Sequence, residues 1–248
     1  MSDDLIVVLA DPGDEGACAV VSRLTMRRRA EQVVVVRSHE LARSRWHHTV
    51  DPHGVTATRI TLPDGRVMDG GHIAALLHRL PYVPPLGFVT ASAKDRHYAY
   101  CELRALVASW LLGLASRVVG RPMTNAGLSQ PSSPWLGPAC ARQSGLPVAR
   151  WPGSAPDGPP RTPPVPAQRL LVAGERVVGE LGSTCAQSCR ALLGLLGTNL
   201  AELHLVRQNG PALVGVDMFP PLDLPEHREA VTSLLIDIAE RHPGGRGA

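Results

Sequence analysis

Apolar positions at the start of the chain form uninterrupted runs rather than alternating with polar ones. Leu5–Ala10 is such a run, and it ends in a turn rich in aspartate and glycine. A helix is predicted over about 16–29, and the four valines of Val33–Val36 predict a second buried strand. Because strands buried on both faces have continuous apolar sequences, this order indicates the first β-α-β unit of a parallel sheet.

The next region contains a predicted hairpin. The segment from His39 to Asp51 is expected to be irregular. Thr56–Leu62 and Val67-Met68 predict the two strands of a hairpin, since Pro63-Asp64-Gly65-Arg66 between them has the residues of a tight turn. A short helix is then predicted over His72–Arg79.

Two further helices and a short strand are predicted before the composition changes. A helix over about 97–116 places large apolar side chains on one stripe. Val118-Val119 predicts a short strand, and a helix over about 134–144 is expected to end at Gly145. The apolar stripe consists of Leu103, Leu106, Val107, Trp110, Leu111 and Leu114.

Proline divides the chain into two parts. Seven of the fifteen residues of Pro152–Pro166 are proline, a density that excludes a helix or a central strand. We therefore expect a proline-rich linker at 149–167. An N-terminal lobe at 1–148 is expected to precede it, and a C-terminal lobe at 168–242 and a disordered tail at 243–248 are expected to follow.

The C-terminal lobe is predicted to alternate hairpins with helices. Ser183 or Thr184 is expected to cap a helix that ends near Leu196. A final amphipathic helix, Pro225–His242, turns its apolar stripe inward. That stripe is Ala230, Val231, Leu234, Leu235 and Ile238. Four strands are predicted to form the two hairpins: Arg169–Ala173 with Arg176–Glu180, and Leu200–Val206 with Ala212–Asp217.

The composition narrows the classes of function. The chain has 248 residues, a formal net charge of +3 and no apolar run long enough to span a bilayer. Acidic residues near the start argue against a signal peptide, so a cytoplasmic protein is expected. Of the 25 basic residues only Lys94 is a lysine, and the arginines are dispersed. Dispersed arginines are a weak indication of nucleic-acid binding, so neither a nucleic-acid nor a membrane partner is expected.

Several groups allow both a functional and a structural interpretation. The histidines of Trp46-His47-His48, with His53, are either a metal or acid–base cluster or part of a surface loop. Asp11, Asp14 and Glu15 either face a ligand at the edge of the sheet or are the N-cap and first-turn acids of the following helix. Glu102 and Arg121 are either a structural ion pair or a substrate clamp. The five dispersed cysteines are expected to be reduced thiols, and Cys185 and Cys189 to share a helix face.

The order of several segments resembles that of ATP-grasp ligases, specifically the microviridin-type ribosomal-peptide maturases and the ribosomal-protein glutamate ligases. The resemblance covers nearly the whole chain and depends on the order of the segments more than on any one of them. The segments are Asp69-Gly70 with His78-Arg79-Leu80-Pro81, a helix with Glu102 leading to Val118–Pro122, the run Ala141–Val148, and the arginine-bearing hairpin Gln168–Val178.

This resemblance implies an α/β fold. It comprises a pre-ATP-grasp-like N-terminal lobe with a parallel sheet, and a smaller α+β C-terminal lobe. The family joins a carboxylate to an amine through an acyl phosphate. In that chemistry lysines bind the ATP phosphates, and an Asp and a Glu-x-Asn motif bind Mg²⁺.

The sequence departs from the family pattern at the positions that serve this chemistry. The proline-rich linker replaces most of the central nucleotide-binding lobe, and the family lysine falls near Pro134. The metal-binding Asp falls at His204, and Glu-x-Asn falls at Gly215-Val216-Asp217, so His204 and Asp217 are a remnant metal site. The remaining candidates for phosphate contacts are Arg121, Arg169 and Arg176.

Three hypotheses follow for the function. The first is a degenerate pseudo-ligase that binds a peptide or protein partner, as an accessory component of peptide tailoring or specialised-metabolite biosynthesis, with no cofactor. The second is a shortened active carboxylate–amine ligase that uses ATP and Mg²⁺. The third is an enzyme of different chemistry that uses the histidines of the 39–53 segment. A homodimer is compatible with each of them.

Overall fold

A computed structural model describes residues 4–120, 136–149, 168–207 and 209–243. The chain divides into two compact units. Unit 1 contains Met1–Ser129 and Thr232–Ala248, and unit 2 contains Gln130–Val231. The helix predicted before Gly145 therefore belongs to unit 2, whereas the predicted N-terminal lobe, residues 1–148, includes it.

A four-stranded parallel sheet forms the base of unit 1. Its strands are β1 (Leu5–Leu9), β2 (Val33–Val36), β6 (Ile73–His78) and β7 (Val118–Val119), in the order β2-β1-β6-β7. Helix α1 (Glu15–Arg27) connects the first two strands. All six residues of β6 are buried, as are four of the five in β1, because helices and loops cover a parallel sheet on both faces.

A second, antiparallel sheet completes unit 1. Its strands β3 (Arg45–Val50), β4 (Thr56–Thr61) and β5 (Val67–Asp69) pair in that order, after the short helix α2 (Ser38–Arg43). The long helix α3 (Ala93–Leu114) buries Val107, Trp110, Leu111 and Leu114 in the same apolar core as Ile60 and Met68 of this sheet.

Unit 2 has an antiparallel four-stranded sheet. The strands are β8 (Gln168–Ala173), β9 (Arg176–Val178), β10 (Leu200–Arg207) and β11 (Pro211–Asp217), in the order β11-β10-β8-β9. Helices α4 (Leu136–Gln143) and α5 (Gly182–Leu196) share one apolar core with the sheet. The last helix, α6 (Pro225–Arg241), begins in unit 2 and ends in unit 1.

Many elements match the predictions. Both C-terminal hairpins and the β4–β5 hairpin form with the predicted partners. Gly145 follows α4 with a φ of 77°, a left-handed conformation that suits glycine at a helix end. The five residues predicted to face inward on α6 are all buried.

Three predictions of local structure are wrong. His72–Arg79 is the central strand β6, because its long-range pairing with β1 and β7 outweighs local helix signals. The segment from His39 to Asp51 is regular, with α2 and then β3 paired along β4. Neither Ser183 nor Thr184 caps α5, which begins at Gly182 after Leu181.

Parts of the expected organisation lie outside the described residues. These include most of the proline-rich linker, residues 150–167, and the end of the tail, residues 244–248. Within the part of the chain that the structure describes, no helix is both long and apolar enough to cross a membrane.

Candidate functional site

Arg169, one of the predicted phosphate ligands, is bound by two carboxylates in unit 2. Its Nε and Nη2 donate to Glu202 Oε1 and Oε2, both at 2.8 Å. Its Nη1 and Nη2 donate to Asp223 Oδ2 and Oδ1, both at 2.7 Å. The guanidinium therefore makes two bidentate ion pairs, the strongest geometry available to arginine and carboxylate groups.

The strand register brings these groups together. Arg169 of β8 lies opposite His204 of β10, and Glu202 lies opposite Asp217 of β11. Since alternate residues of a strand project from the same face, these four side chains share one face of the sheet. Asp223 and His227 come from the loop before α6 and from its first turn. We call Arg169, Glu202, His204, Asp223 and His227 the Arg169 cluster.

Glu202 is the buried centre of the cluster. Its side chain is 2% exposed, whereas those of Arg169 and Asp223 are 32% and 49% exposed. A buried carboxylate requires a cation or several hydrogen-bond donors, and Arg169 meets this requirement with two donors. The hydrogen bonds from Arg169 lower the pKa of Asp223 to about 2, and the two carboxylates raise the pKa of Arg169 above its ordinary value.

Two histidines lie against the same carboxylate. His204 Nε2 is 3.1 Å from Glu202 Oε1 but makes no hydrogen bond with it. His227 Nδ1 is 3.9 Å from Glu202 Oε2, and its side chain is 2% exposed. Burial lowers the pKa of His227, and the nearby Glu202 only partly offsets this. His227 is therefore neutral near pH 7.

Of the other predicted site residues, Asp217 lies opposite Glu202 on the same face of the sheet, whereas Arg176 lies away from Arg169. Asp217 Oδ1 accepts a 2.7 Å hydrogen bond from the backbone N–H of Phe219, which shapes the chain after β11. Arg176 is exposed and pairs with Ala173 at the turn of the β8–β9 hairpin, the opposite end of β8 from Arg169. Arg121 lies outside the described residues.

These side chains do not fit a magnesium–nucleotide site. Mg²⁺ requires carboxylate or other oxygen ligands that are available to it, and both oxygens of Glu202 accept hydrogen bonds from Arg169. Among the described residues, no group of three His, Cys, Asp or Glu side chains is arranged to hold a metal ion. The positive charge of Arg169 is already balanced by two carboxylates, so the guanidinium attracts a phosphate only weakly.

The residues predicted from the sequence do not include Glu202, Asp223 or His227. One signal was available for Glu202, which interrupts the otherwise apolar first half of the strand Leu200–Arg207. An acidic side chain in a strand of a buried sheet indicates a fixed cation nearby. The partner itself is separated by 33 residues along the sequence, so local patterns do not reveal it.

Two of the ambiguous residues of unit 1, Asp14 and His48, make hydrogen bonds that join elements of the fold. Asp14 caps α1 by accepting from Ala17 N at 2.9 Å, and it also accepts a 2.7 Å hydrogen bond from the buried Arg79. His47 and His48 lie on β3 rather than in a loop, because β3 pairs along the whole of β4. His48 hydrogen-bonds with the hydroxyl group of Ser109 on α3 at 2.9 Å.

The two cysteines of α5 are buried thiols, as expected. The Sγ atoms of Cys185 and Cys189 are 3.5 Å apart, and Cys185 donates to the Leu181 carbonyl. Burial raises the pKa of Cys189, so it stays protonated and unreactive.

Comparison with solved structures identifies the fold. A complex of the ATP-grasp ligase PsnB with a minimal precursor, Mg and ADP has a TM-score of 0.67 at 15% identity, covering 95% of this chain and 98% of that one. A ligase associated with RiPPs from Chryseobacterium gregarium, with ADP and leader and core peptides, gives 0.65 at 10% identity, covering 99% and 100%.

A third structure with the same fold is the macrocyclase MdnC from Microcystis aeruginosa MRC, bound to its precursor peptide MdnA. It has a TM-score of 0.63 at 11% identity and covers 94% of this chain and 99% of that one. No protein-family model matches the sequence, and comparison with curated proteins finds no match. The chain therefore has the α/β fold of ATP-grasp ligases, as the resemblance implied, with little sequence identity to them.

Proposed function

We propose that this protein is a peptide-binding pseudo-ligase, which has the ATP-grasp fold but lacks nucleotide chemistry. One observation carries the proposal: Arg169 is saturated by Glu202 and Asp223. A phosphate would have to displace carboxylates held at 2.7–2.8 Å, one of which would then remain buried without a cation.

The distribution of cations and acids supports the same proposal. The only lysine, Lys94, is exposed in the first turn of α3 in unit 1. Where the family has two carboxylate-bearing strand positions for Mg²⁺, this chain has His204 and Asp217, and Asp217 is engaged by the backbone. We therefore propose that the protein works with no cofactor.

A peptide partner is proposed from the fold. Three of the similar structures are complexes with precursor, leader or core peptides. A scaffold that loses its chemistry can retain such a binding surface, since function depends on particular sites rather than on the fold. The proposed role is that of an accessory component in peptide tailoring or specialised-metabolite biosynthesis.

The effect of nucleotide on the affinity for peptides tests this proposal. Peptides selected from a displayed random library are synthesised, and their binding is measured by calorimetry with and without Mg²⁺-ATP. A pseudo-ligase gives the same dissociation constant in both conditions, because a nucleotide that does not bind cannot change peptide affinity. The proposal is wrong if no peptide binds, or if Mg²⁺-ATP changes the affinity by about tenfold, which corresponds to a coupling of about 1.4 kcal/mol.

A second candidate is a shortened but active carboxylate–amine ligase. The observation that favours it is that two of the similar structures contain ADP, one of them with Mg. In this case Asp217 would bind one Mg²⁺, and Arg121 and Arg176 would contact phosphates. ADP release with a selected peptide, lost in Asp217→Asn and retained in Asp237→Asn, would establish it. Asp237 is an acid of α6 and not of the β10–β11 hairpin.

Other properties of the protein are proposed on the sequence alone. We propose a cytoplasmic location. We also propose that the protein has no nucleic-acid partner, since the arginines are dispersed along the chain. A homodimer is also proposed, and sedimentation equilibrium of the full chain would detect it.

A further inference from the structure

Unit 1 contains a cavity of about 420 Å³ that the proposed function does not use. Its walls come from β4, from the turn between β5 and β6, and from the C-terminal end of α3 with the residues that follow it. The volume is within the range of small-molecule sites in proteins. The polar groups in the walls determine which chemical class the cavity suits.

Arg117 provides a fixed positive charge in the cavity wall. Its Nη1 donates to the carbonyls of Gly70 and Ile73, both at 2.9 Å, and its Nε donates to the Leu114 carbonyl at 3.3 Å. Backbone carbonyls orient the guanidinium without neutralising it. Among the described residues no carboxylate pairs with Arg117, and its hydrogen bonds to them come from Nε and Nη1, not from Nη2. Burial accordingly lowers the pKa of Arg117.

Trp110 contributes an aromatic ring to the same wall. Its side chain is 1% exposed and lines the cavity, and its indole N–H has no hydrogen-bond partner among the described residues. The neighbouring Trp46, whose ring centroid is 5.4 Å away, donates its own N–H to the Leu41 carbonyl. The indole nitrogen of Trp110 has less than 1 Å² of accessible surface, so it does not open into the cavity, and the ring offers apolar surface there.

Hydrogen bonds and close packing hold the elements of the wall together. His48 hydrogen-bonds with the Thr58 hydroxyl at 2.7 Å and the Ser109 hydroxyl at 2.9 Å, which ties the antiparallel sheet to α3. Gly113 of α3 lies so close to Thr56 of β4 that a Cβ atom there would collide with the Thr56 hydroxyl. A rigid site loses little conformational freedom when a ligand binds.

We propose that this cavity binds a small monocarboxylate with an apolar body, whose carboxylate accepts from Arg117 Nη2. The ionised residues of the wall are Arg59, Asp69 and Arg117, which leave one net positive charge. One positive charge complements a carboxylate better than a phosphate, which carries nearly two negative charges. Trp110 and Leu114 offer apolar surface to the ligand body.

Three probes test this site: N-acetyl-leucine, its uncharged amide N-acetyl-leucinamide, and an acetylated tetrapeptide that ends in leucine. NMR titration of the full chain follows the indole N–H resonance of Trp110. N-Acetyl-leucine is expected to bind with a dissociation constant on the order of 1 mM or tighter and to move that resonance, because the Trp110 ring lines the cavity. The amide is expected to bind at least about tenfold more weakly, because it lacks the charge.

The tetrapeptide distinguishes two sources of the carboxylate. If it binds at least as tightly as N-acetyl-leucine, the ligand is a peptide C-terminus, and if it does not bind, the ligand is a free small molecule. The proposal is wrong if N-acetyl-leucine leaves the Trp110 resonance unmoved, if the amide binds equally well, or if inorganic phosphate binds more tightly than either.

Arg59→Gln and Arg45→Gln test the charge of the wall without disturbing the core. Both arginines are exposed on paired strands of the same sheet, but only Arg59 lines the cavity. Arg59→Gln is expected to weaken N-acetyl-leucine binding at least about threefold, and Arg45→Gln less than about 1.5-fold. Equal effects of the two substitutions would contradict the site. Arg117→Gln is less suitable, because Arg117 also binds three backbone carbonyls.

Discussion

Replacing Arg169 by leucine leaves the carboxylate of Glu202 buried without a cation. Glu202 is 2% exposed and accepts two hydrogen bonds from the guanidinium, each about 1.5–3 kcal/mol for a charged pair. Removing one partner of a buried ion pair costs about 3–5 kcal/mol. Because Arg169 is 32% exposed and water reaches it, we expect a loss of about 3 kcal/mol from the free energy of unfolding.

Urea unfolding at pH 7, followed by circular dichroism, measures this loss. Arg190→Leu is the matched control, since its ion pair with Glu175 is longer, at 3.4 Å, and exposed. The control is expected to cost less than about 1 kcal/mol. Glu202→Leu is expected to cost about 1–2 kcal/mol, because Arg169 then keeps Asp223 and remains partly hydrated.

The double replacement completes a thermodynamic cycle. Arg169→Leu with Glu202→Leu is expected to cost at least about 1 kcal/mol less than the sum of the two single changes, since neither charge is left buried alone. If the single changes add, or if Arg169→Leu costs no more than Arg190→Leu, Arg169 is not committed to Glu202. Arg169 would then be available to a phosphate after all.

Three further predictions concern titration and reactivity. The pKa of His227 is lowered in the folded protein, so the free energy of unfolding should fall as pH drops below about 6.5, by at most about 1.4 kcal/mol per pH unit. His227→Gln should make this pH dependence shallower in urea midpoints between pH 5 and 7. An unchanged pH dependence would contradict the prediction. The pKa of Asp223 is lowered to about 2, so its contribution to the free energy of unfolding is complete above about pH 4 and is lost as pH falls through 2. Asp223→Asn should reduce the difference in unfolding free energy between about pH 4 and pH 2 by less than about 1 kcal/mol. A larger reduction would contradict this prediction, because it would show a stronger ion pair. An alkylating reagent at pH 8 should label two cysteines rapidly in native protein, and rapid labelling of a third would refute the assignment of Cys140, Cys185 and Cys189 as buried thiols.

Local sequence patterns predicted the elements whose signals are local. The Pro63-Asp64-Gly65-Arg66 turn predicted the β4–β5 hairpin, and apolar spacing predicted the buried face of α6. The strand β6 was mistaken for a helix because Ile73–His78 owes its conformation to β1 and β7, which are distant in sequence. Tertiary pairing overrides propensity in such buried segments.

The candidate site was predictable only in part, because it also depends on pairing between segments that are distant in sequence. The resemblance to a known family identified Arg169 and Asp217 as polar positions on strands, but their partners depend on strand register and on burial. Glu202 meets Arg169 because β8 and β10 pair with His204 opposite Arg169, a relation that no spacing along the chain reveals. The arginine was therefore found, while its neutralisation by two acids was not.

Nucleotide binding by the full chain tests the central claim most directly. Isothermal titration with ATP or ADP and excess Mg²⁺, up to about 1 mM nucleotide, is predicted to give no heat beyond dilution, because the Arg169 cluster offers neither a phosphate ligand nor a metal site. Saturable binding of one nucleotide per chain within that concentration range would contradict the pseudo-ligase proposal.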